Sequence, residues 1–187
     1  MSKKKSSDIE ILLGAPGTGK TTELINRVMS HIENGGHANR IVYVSFTRQA
    51  AQVAVSRAVE RFKLDKAYFP YFRTIHSLAY LIKRYTPDEV VQDEHYAAFG
   101  EMYGYELNPS VNTSTFHIDY GRGNGASLLR LYDMHINKKI PYSELGVATR
   151  QEVSLLEVGI FAERWESYKK KHGLKDFSDF LTTPISL

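Results

Sequence analysis

Cysteine is absent from all 187 residues, which excludes a disulfide framework, a thiolate metal site and a cysteine nucleophile. That composition fits a reducing cytoplasm, where the chain is expected to reside. Also missing is any unbroken apolar run of the length a membrane span requires, so nothing in the sequence supports a membrane role. The start, MSKKKSS, is basic, but Asp8 and a short strand-like run follow it in place of an apolar core and cleavage site. It is therefore not a secretory signal, and residues 1–7 are expected to form a solvated, disordered basic tail. His31, His37, His95, His117, His135 and His172 show no HExxH and no clustered ligand spacing, which argues against zinc. Without a GxSxG elbow a hydrolase triad has no support either. No internal repeat is present, and charge of one sign is in modest excess. The net charge of +3 is compatible with a polyanionic partner but too small to identify one.

What is present is the pattern of an ordinary globular chain, 42% apolar and 24% charged. Glu10 to Leu13 lies in the run DIEILL, which is short, rich in Ile and Leu, and stops at glycine, as a buried parallel strand entering a turn does. Leu24, Ile25, Val28, Met29 and Ile32 then recur at helical spacing, and Gly35-Gly36 supplies the stop. Ile41 to Phe46 predicts a second strand and Gln49 to Phe62 a second helix. A third extended stretch, Tyr68 to Arg73, leads through Thr74-Ile75-His76-Ser77 into another helix that ends before Thr86-Pro87. This alternation predicts a parallel α/β sheet. From about Pro87 to Gly173 no clear strand is visible. Helical runs near Glu89 to Tyr103, Ala126 to Asn137 and Glu152 to His172 predict a helical insertion. Tyr68, Tyr71, Tyr103, Tyr105 and Tyr120 fit packing better than a stacking surface.

Gly14-Ala15-Pro16-Gly17-Thr18-Gly19-Lys20-Thr21 satisfies GxxxxGK[ST] between a predicted strand and a predicted helix, the context that makes this pattern a phosphate site. Its glycines let backbone N–H groups turn around phosphate oxygens without a clashing Cβ, while the helix N-terminus points at the same place. Lys20 is placed for the β- and γ-phosphates, Thr21 for Mg²⁺, and Thr22 for a phosphate at the first helical turn. Phe46-Thr47-Arg48 follows the second strand. A ring to stack on a base beside a cation for phosphate suits single-stranded DNA. On those residues alone, a core Phe46 and a solvated Arg48 fit equally well.

GAPGTGKTT, FTRQAA, TIHS and, far downstream, KDFSDFL stand in an order and spacing that resembles the UvrD/Rep/PcrA-like superfamily 1 DNA helicases. That family has elements close to FTNKAA, TFHS or TFHG, and DFxDLL, and it inserts a helical 1B subdomain between the last two. The helix carrying Trp165 and Tyr168 before Gly173 is similar too. The resemblance implies a P-loop NTPase (RecA-like) parallel sheet with an inserted helical subdomain. Residues 8–86 are then a 1A portion, 87–173 a 1B-like subdomain and 174–187 a return to 1A.

It implies ATP and Mg²⁺ as cofactors, held by Gly14, Ala15, Pro16, Gly17, Thr18, Gly19, Lys20, Thr21 and Thr22, with Lys20 and Thr21 as the catalytic candidates. It implies single-stranded DNA or a single-strand/duplex junction as partner, contacted by Phe46, Thr47, Arg48, Thr74, His76 and Ser77, with movement 3′ to 5′. A hydrogen-bonded structural role is the other reading of His76. Asp176 and Asp179, three apart at a helix start, fit capping and dipole complementarity better than catalysis. The family's adenine-reading glutamine has no counterpart among the thirteen residues before Gly14, and Thr22 stands where the family often has Arg. Phosphoryl transfer also needs a later carboxylate pair and an arginine. Neither is identifiable, so the chain is expected to be an N-terminal portion that binds nucleotide but hydrolyses it poorly. A P-loop kinase with a helical lid and a non-catalytic nucleotide-gated binding module are the readings from other classes.

Overall fold

The computed structural model describes residues 10–15, 17–149 and 154–182; the basic tail, Pro16 and the start of the helical run at Glu152 lie outside them. The chain divides into two compact units at Arg73/Thr74.

In the first unit, helix α1 (Lys20–Glu33) starts directly after Gly19 and ends at Asn34. Gly35, at φ +85, lets the chain reverse there, and its N–H and that of Gly36 return to the carbonyls of Ile32 and His31. Strand β1 (Tyr43–Ser45) and helix α2 (Arg48–Phe62) follow, and strand β2 (Phe72–Thr74) runs across the boundary into the second unit. The two strands pair, with Tyr43 N–H donating to Tyr71 C=O at 3.1 Å. Ile25 of α1 and Ala54, Val55 and Ala58 of α2 form a core with Phe69 and Phe72.

The expected strand at Glu10 to Leu13 is not formed, because no ladder pairs it among the described residues. A strand needs a neighbour's carbonyls and amides; here Ile11 and Leu13 remain 74% and 90% exposed.

The second unit opens with helix α3 (Ile75–Lys83) and continues through α4 (Asp93–Tyr103). A short hairpin comes next, β3 (Ser110–Asn112) with β4 (His117–Asp119), antiparallel with Val111 opposite Ile118. This hairpin corrects the expectation of a strand-free insertion. It turns on Asn112, whose side chain accepts from Thr115 N–H at 3.0 Å, the local bonding that favours Asn in turns. Helices α5 (Asn124–Lys138), α6 (Tyr142–Thr149), α7 (Leu155–His172) and α8 (Phe177–Thr182) complete the unit. Trp165 lies at the core, stacked on Tyr96 at 4.8 Å and edge-on to Phe99 at 4.9 Å. Tyr103, Tyr105 and Tyr120 pack against this core as expected, whereas Tyr68 in the first unit is exposed. Among the described residues no helix is long and apolar enough to cross a membrane.

Candidate nucleotide-binding site

The GxxxxGK[ST] segment forms a loop closed by its own lysine. Lys20 Nζ donates to the carbonyls of Gly14 and Ala15, both at 2.6 Å. An ammonium has three donors, so one is left for a further acceptor. Thr18 braces the same turn, its Oγ1 donating to Ala15 C=O at 2.8 Å. Gly17 and Gly19 both sit at φ +82, the left-handed region that costs an L-residue energy and glycine almost none. At Gly14 the reason for glycine is contact, since a Cβ there would meet Thr18 Oγ1 at 2.5 Å.

Gly19 caps α1 without a side-chain bond, and its carbonyl accepts from Glu23 N–H at 2.9 Å. The amides of Lys20, Thr21 and Thr22 therefore have no acceptor within the helix. Thr21 and Thr22 are exposed. These amides, the positive helix end, the ammonium and the Thr21 hydroxyl together form a donor set suited to a phosphate chain and its cation. The residues present fit the phosphates of a nucleotide and their Mg²⁺.

A clasp that the sequence reading missed joins the two ends of this loop. Arg27 on α1 grips Glu10 through two bonds of 2.6 Å, Nη1 to Oε2 and Nη2 to Oε1, and its Nε reaches Glu23 at 3.0 Å. Hydrogen bonding and the charge of Arg27 hold the Glu10 carboxyl below its ordinary value. The available signal was an acid before the loop and a base two turns into the helix after it.

The six residues proposed for nucleic acid divide between the two units. In the first, Phe46 is 96% exposed, Thr47 caps α2 by accepting from Ala50 N–H at 3.2 Å, and Arg48 is exposed at the helix start. An outward Phe46 does not occupy the core position that the residues alone left open. In the second, Thr74 is buried and caps α3, accepting from Ser77 N–H at 3.3 Å. His76 is half-buried, stacked on Phe116 at 6.0 Å and edge-on to Phe177 at 6.4 Å. Burial lowers its pKa.

Asp176 and Asp179 cap α8 reciprocally. Asp179 N–H donates to Asp176 Oδ1 and Asp176 N–H to Asp179 Oδ2, each at 3.0 Å. Their remaining contacts form a buried network that sequence reasoning did not find. Lys169, 2% exposed, reaches Asp176 Oδ2 at 2.8 Å, Asp179 Oδ2 at 2.9 Å and Tyr132 OH at 3.0 Å. Tyr132 OH in turn donates to Glu166. Burial works against the Lys169 ammonium, yet the two aspartates outweigh it and raise its pKa. Lys169 lies in a run of lysines at the end of α7, which reads from sequence as a solvated helix terminus.

One family model, described as UvrD/REP helicase N-terminal domain, matches residues 3–187. No curated protein matches the chain.

Proposed function

From the premise that the chain belongs to the UvrD/REP helicase N-terminal domain family, we propose that Gly14 to Thr22 bind ATP with Mg²⁺ and that this site drives movement on single-stranded DNA. The observation that carries the reading is the Lys20 ammonium, held over the loop by the Gly14 and Ala15 carbonyls beside an uncapped helix start. Bound Mg-ATP supplies the phosphoanhydride whose cleavage such a motor uses. Lys20 binds and orients the terminal phosphates and neutralises their charge, the amides of Lys20 to Thr22 fix their position, and the Thr21 hydroxyl is the protein's ligand to Mg²⁺.

On the same reading residues 8–86 and 174–187 belong to a RecA-like 1A domain, and 87–173 to an inserted 1B subdomain. DNA is engaged in the first unit by stacking on Phe46 and by phosphate contact at Arg48 with Thr47 beside them, and in the second unit by Thr74, His76 and Ser77; travel is 3′ to 5′. An outward aromatic beside a cation supports this assignment.

The test is titration of the chain with Mg-ATP and, separately, with a single-stranded oligonucleotide at several salt concentrations. Saturable Mg-ATP binding that Lys20→Ala weakens about 10- to 100-fold, as expected for a lost charged hydrogen bond, supports the site. Equal binding by the variant sinks it. Oligonucleotide affinity that falls steeply with salt supports the DNA assignment; phosphoryl transfer to a small acceptor without DNA binding favours a kinase.

A further inference from the structure

Asp133 on α5 is 7% exposed, and its two oxygens each meet one neutral hydroxyl. Tyr120 OH donates to Oδ2 at 2.8 Å and Ser178 Oγ to Oδ1 at 2.9 Å. Ser178 also accepts from Asn137 Nδ2 at 2.8 Å, which leaves its single proton directed at Asp133. Among the described residues no basic group lies within ion-pair distance of Asp133. The nearby ammonium, Lys169, is engaged by Asp176 and Asp179. Asp176, Asp179 and the exposed Glu166 thus share the one ammonium, and Asp133 has none within ion-pair distance. A buried carboxylate in that position is most easily accommodated as the neutral acid.

We propose that Asp133 is held as the neutral acid in the folded chain, and that its ionisation loosens the docking of α8 on α5, making this contact inside the second unit pH-sensitive. In the neutral form the acid's own O–H bonds through Oδ2 to Tyr120, while Ser178 keeps donating to Oδ1. On ionisation a further buried negative charge acts on Asp176 with no additional cation.

The groups that face Asp133 come from several elements: Tyr120 beyond β4, Asp176 and Ser178 at α8, Lys169 on α7 and Tyr96 on α4. Arg130 of α5 acts on Tyr120, and Glu144 of α6 is exposed. Burial first, and then the charge of Asp176, push the Asp133 carboxyl up to about 7 against the opposing pull of Tyr120, Ser178 and Lys169. Because the folded value lies above the ordinary 3.8, the stability contributed by the proton is complete below about pH 4. It is lost as pH rises through about 7.

The direct test follows the Asp133 carboxyl carbon by NMR in the intact chain from pH 4.5 to 9, with amide exchange of α5 and α8 measured in parallel. The expected midpoint lies near 7. Protection of α8, corrected for intrinsic exchange, should fall about tenfold between pH 6 and pH 8, the scale of a one-unit shift, and Asp133→Asn should abolish that dependence. A midpoint below 5, or unchanged pH dependence in Asp133→Asn, overturns the proposal. Should that variant fail to fold, Ser178→Ala decides. Removing a donor to the carboxylate must move the midpoint upward, and a stationary or lowered midpoint refutes the assignment. None of these readouts depends on nucleotide or DNA.

Discussion

Trp165 and Asp176 are joined by a buried hydrogen bond, indole Nε1 to Oδ2 at 3.0 Å, and the same oxygen accepts Lys169 Nζ at 2.8 Å. One carboxylate thereby ties the end of α7 to the start of α8, and its other oxygen caps α8 through Asp179 N–H. This carboxylate is fully occupied in holding the fold, which gives the DF element of the sequence an architectural role.

Removing the cation from this arrangement leaves Asp176 and Asp179 facing each other without compensation. Lys169→Met should therefore cost about 3–5 kcal/mol, the range for a buried pair stripped of one partner. Urea unfolding followed by Trp165 emission reads the second unit directly, since Trp165 is the chain's single tryptophan. A loss under about 1 kcal/mol, the value typical of an exposed pair, would show that the network is not the clamp described.

The glycines of the phosphate loop separate by mechanism. Gly19→Ala introduces a Cβ that meets nothing within 4 Å but sits at φ +82, so its cost should be the backbone penalty alone, about 1–2 kcal/mol. Gly14→Ala instead drives a Cβ against Thr18 Oγ1 at 2.5 Å. Its effect on Mg-ATP affinity should be relieved by a second change, Thr18→Ala, that does nothing for Gly19→Ala. Identical behaviour of the two glycine variants toward Thr18→Ala contradicts this division.

The phosphate loop, the helices around Ile25, Ala54 and Trp165, and the capping by Asp176 and Asp179 were legible in the sequence because each rests on local chemistry: glycine dihedrals, apolar periodicity, a carboxylate three residues from its amide. What was not legible depends on partners distant in the chain. Lys169 acquires its partners only where α8 supplies two aspartates, and Asp133 only where Tyr120 and Ser178 meet it. The hairpin at Ser110 and His117 escaped because three residues per strand are too few to display alternation. Glu10 to Leu13 failed in the opposite direction. Its apolar pattern was clear, but strand formation requires a neighbour, and the described residues bond Glu10 to Arg27 instead.

Phe46 and Thr74 should part company under substitution. At 96% exposure, Phe46→Ala should leave unfolding unchanged while single-stranded DNA affinity falls by about 1–3 kcal/mol, the worth of one stacked base. Thr74→Ala removes a buried helix cap and should cost about 1 kcal/mol of stability. Equilibrium unfolding paired with fluorescence anisotropy on a labelled oligonucleotide distinguishes them. Destabilisation by Phe46→Ala would mean that the ring is covered in solution and unavailable for stacking.

His76 brings a pH dependence of opposite sign to that of Asp133. Its ring packs against Phe116 and Phe177, where burial disfavours the charged form and lowers the pKa. A folded value below the ordinary 6.5 means that its contribution to stability is present above pH 6.5. That contribution is lost as pH falls through the lowered value. The stability gap between the native chain and His76→Gln should therefore narrow from pH 7.5 to pH 5.5 in chemical denaturation. A gap that widens on acidification would require a stabilised imidazolium and contradict the aromatic packing. The same burial restricts what His76 can offer a nucleic acid. At neutral pH it is an uncharged ring, able to donate or accept one hydrogen bond but not to neutralise a phosphate. His76→Gln should accordingly leave the salt dependence of oligonucleotide binding unchanged, whereas Arg48→Gln should reduce its slope by about one phosphate contact.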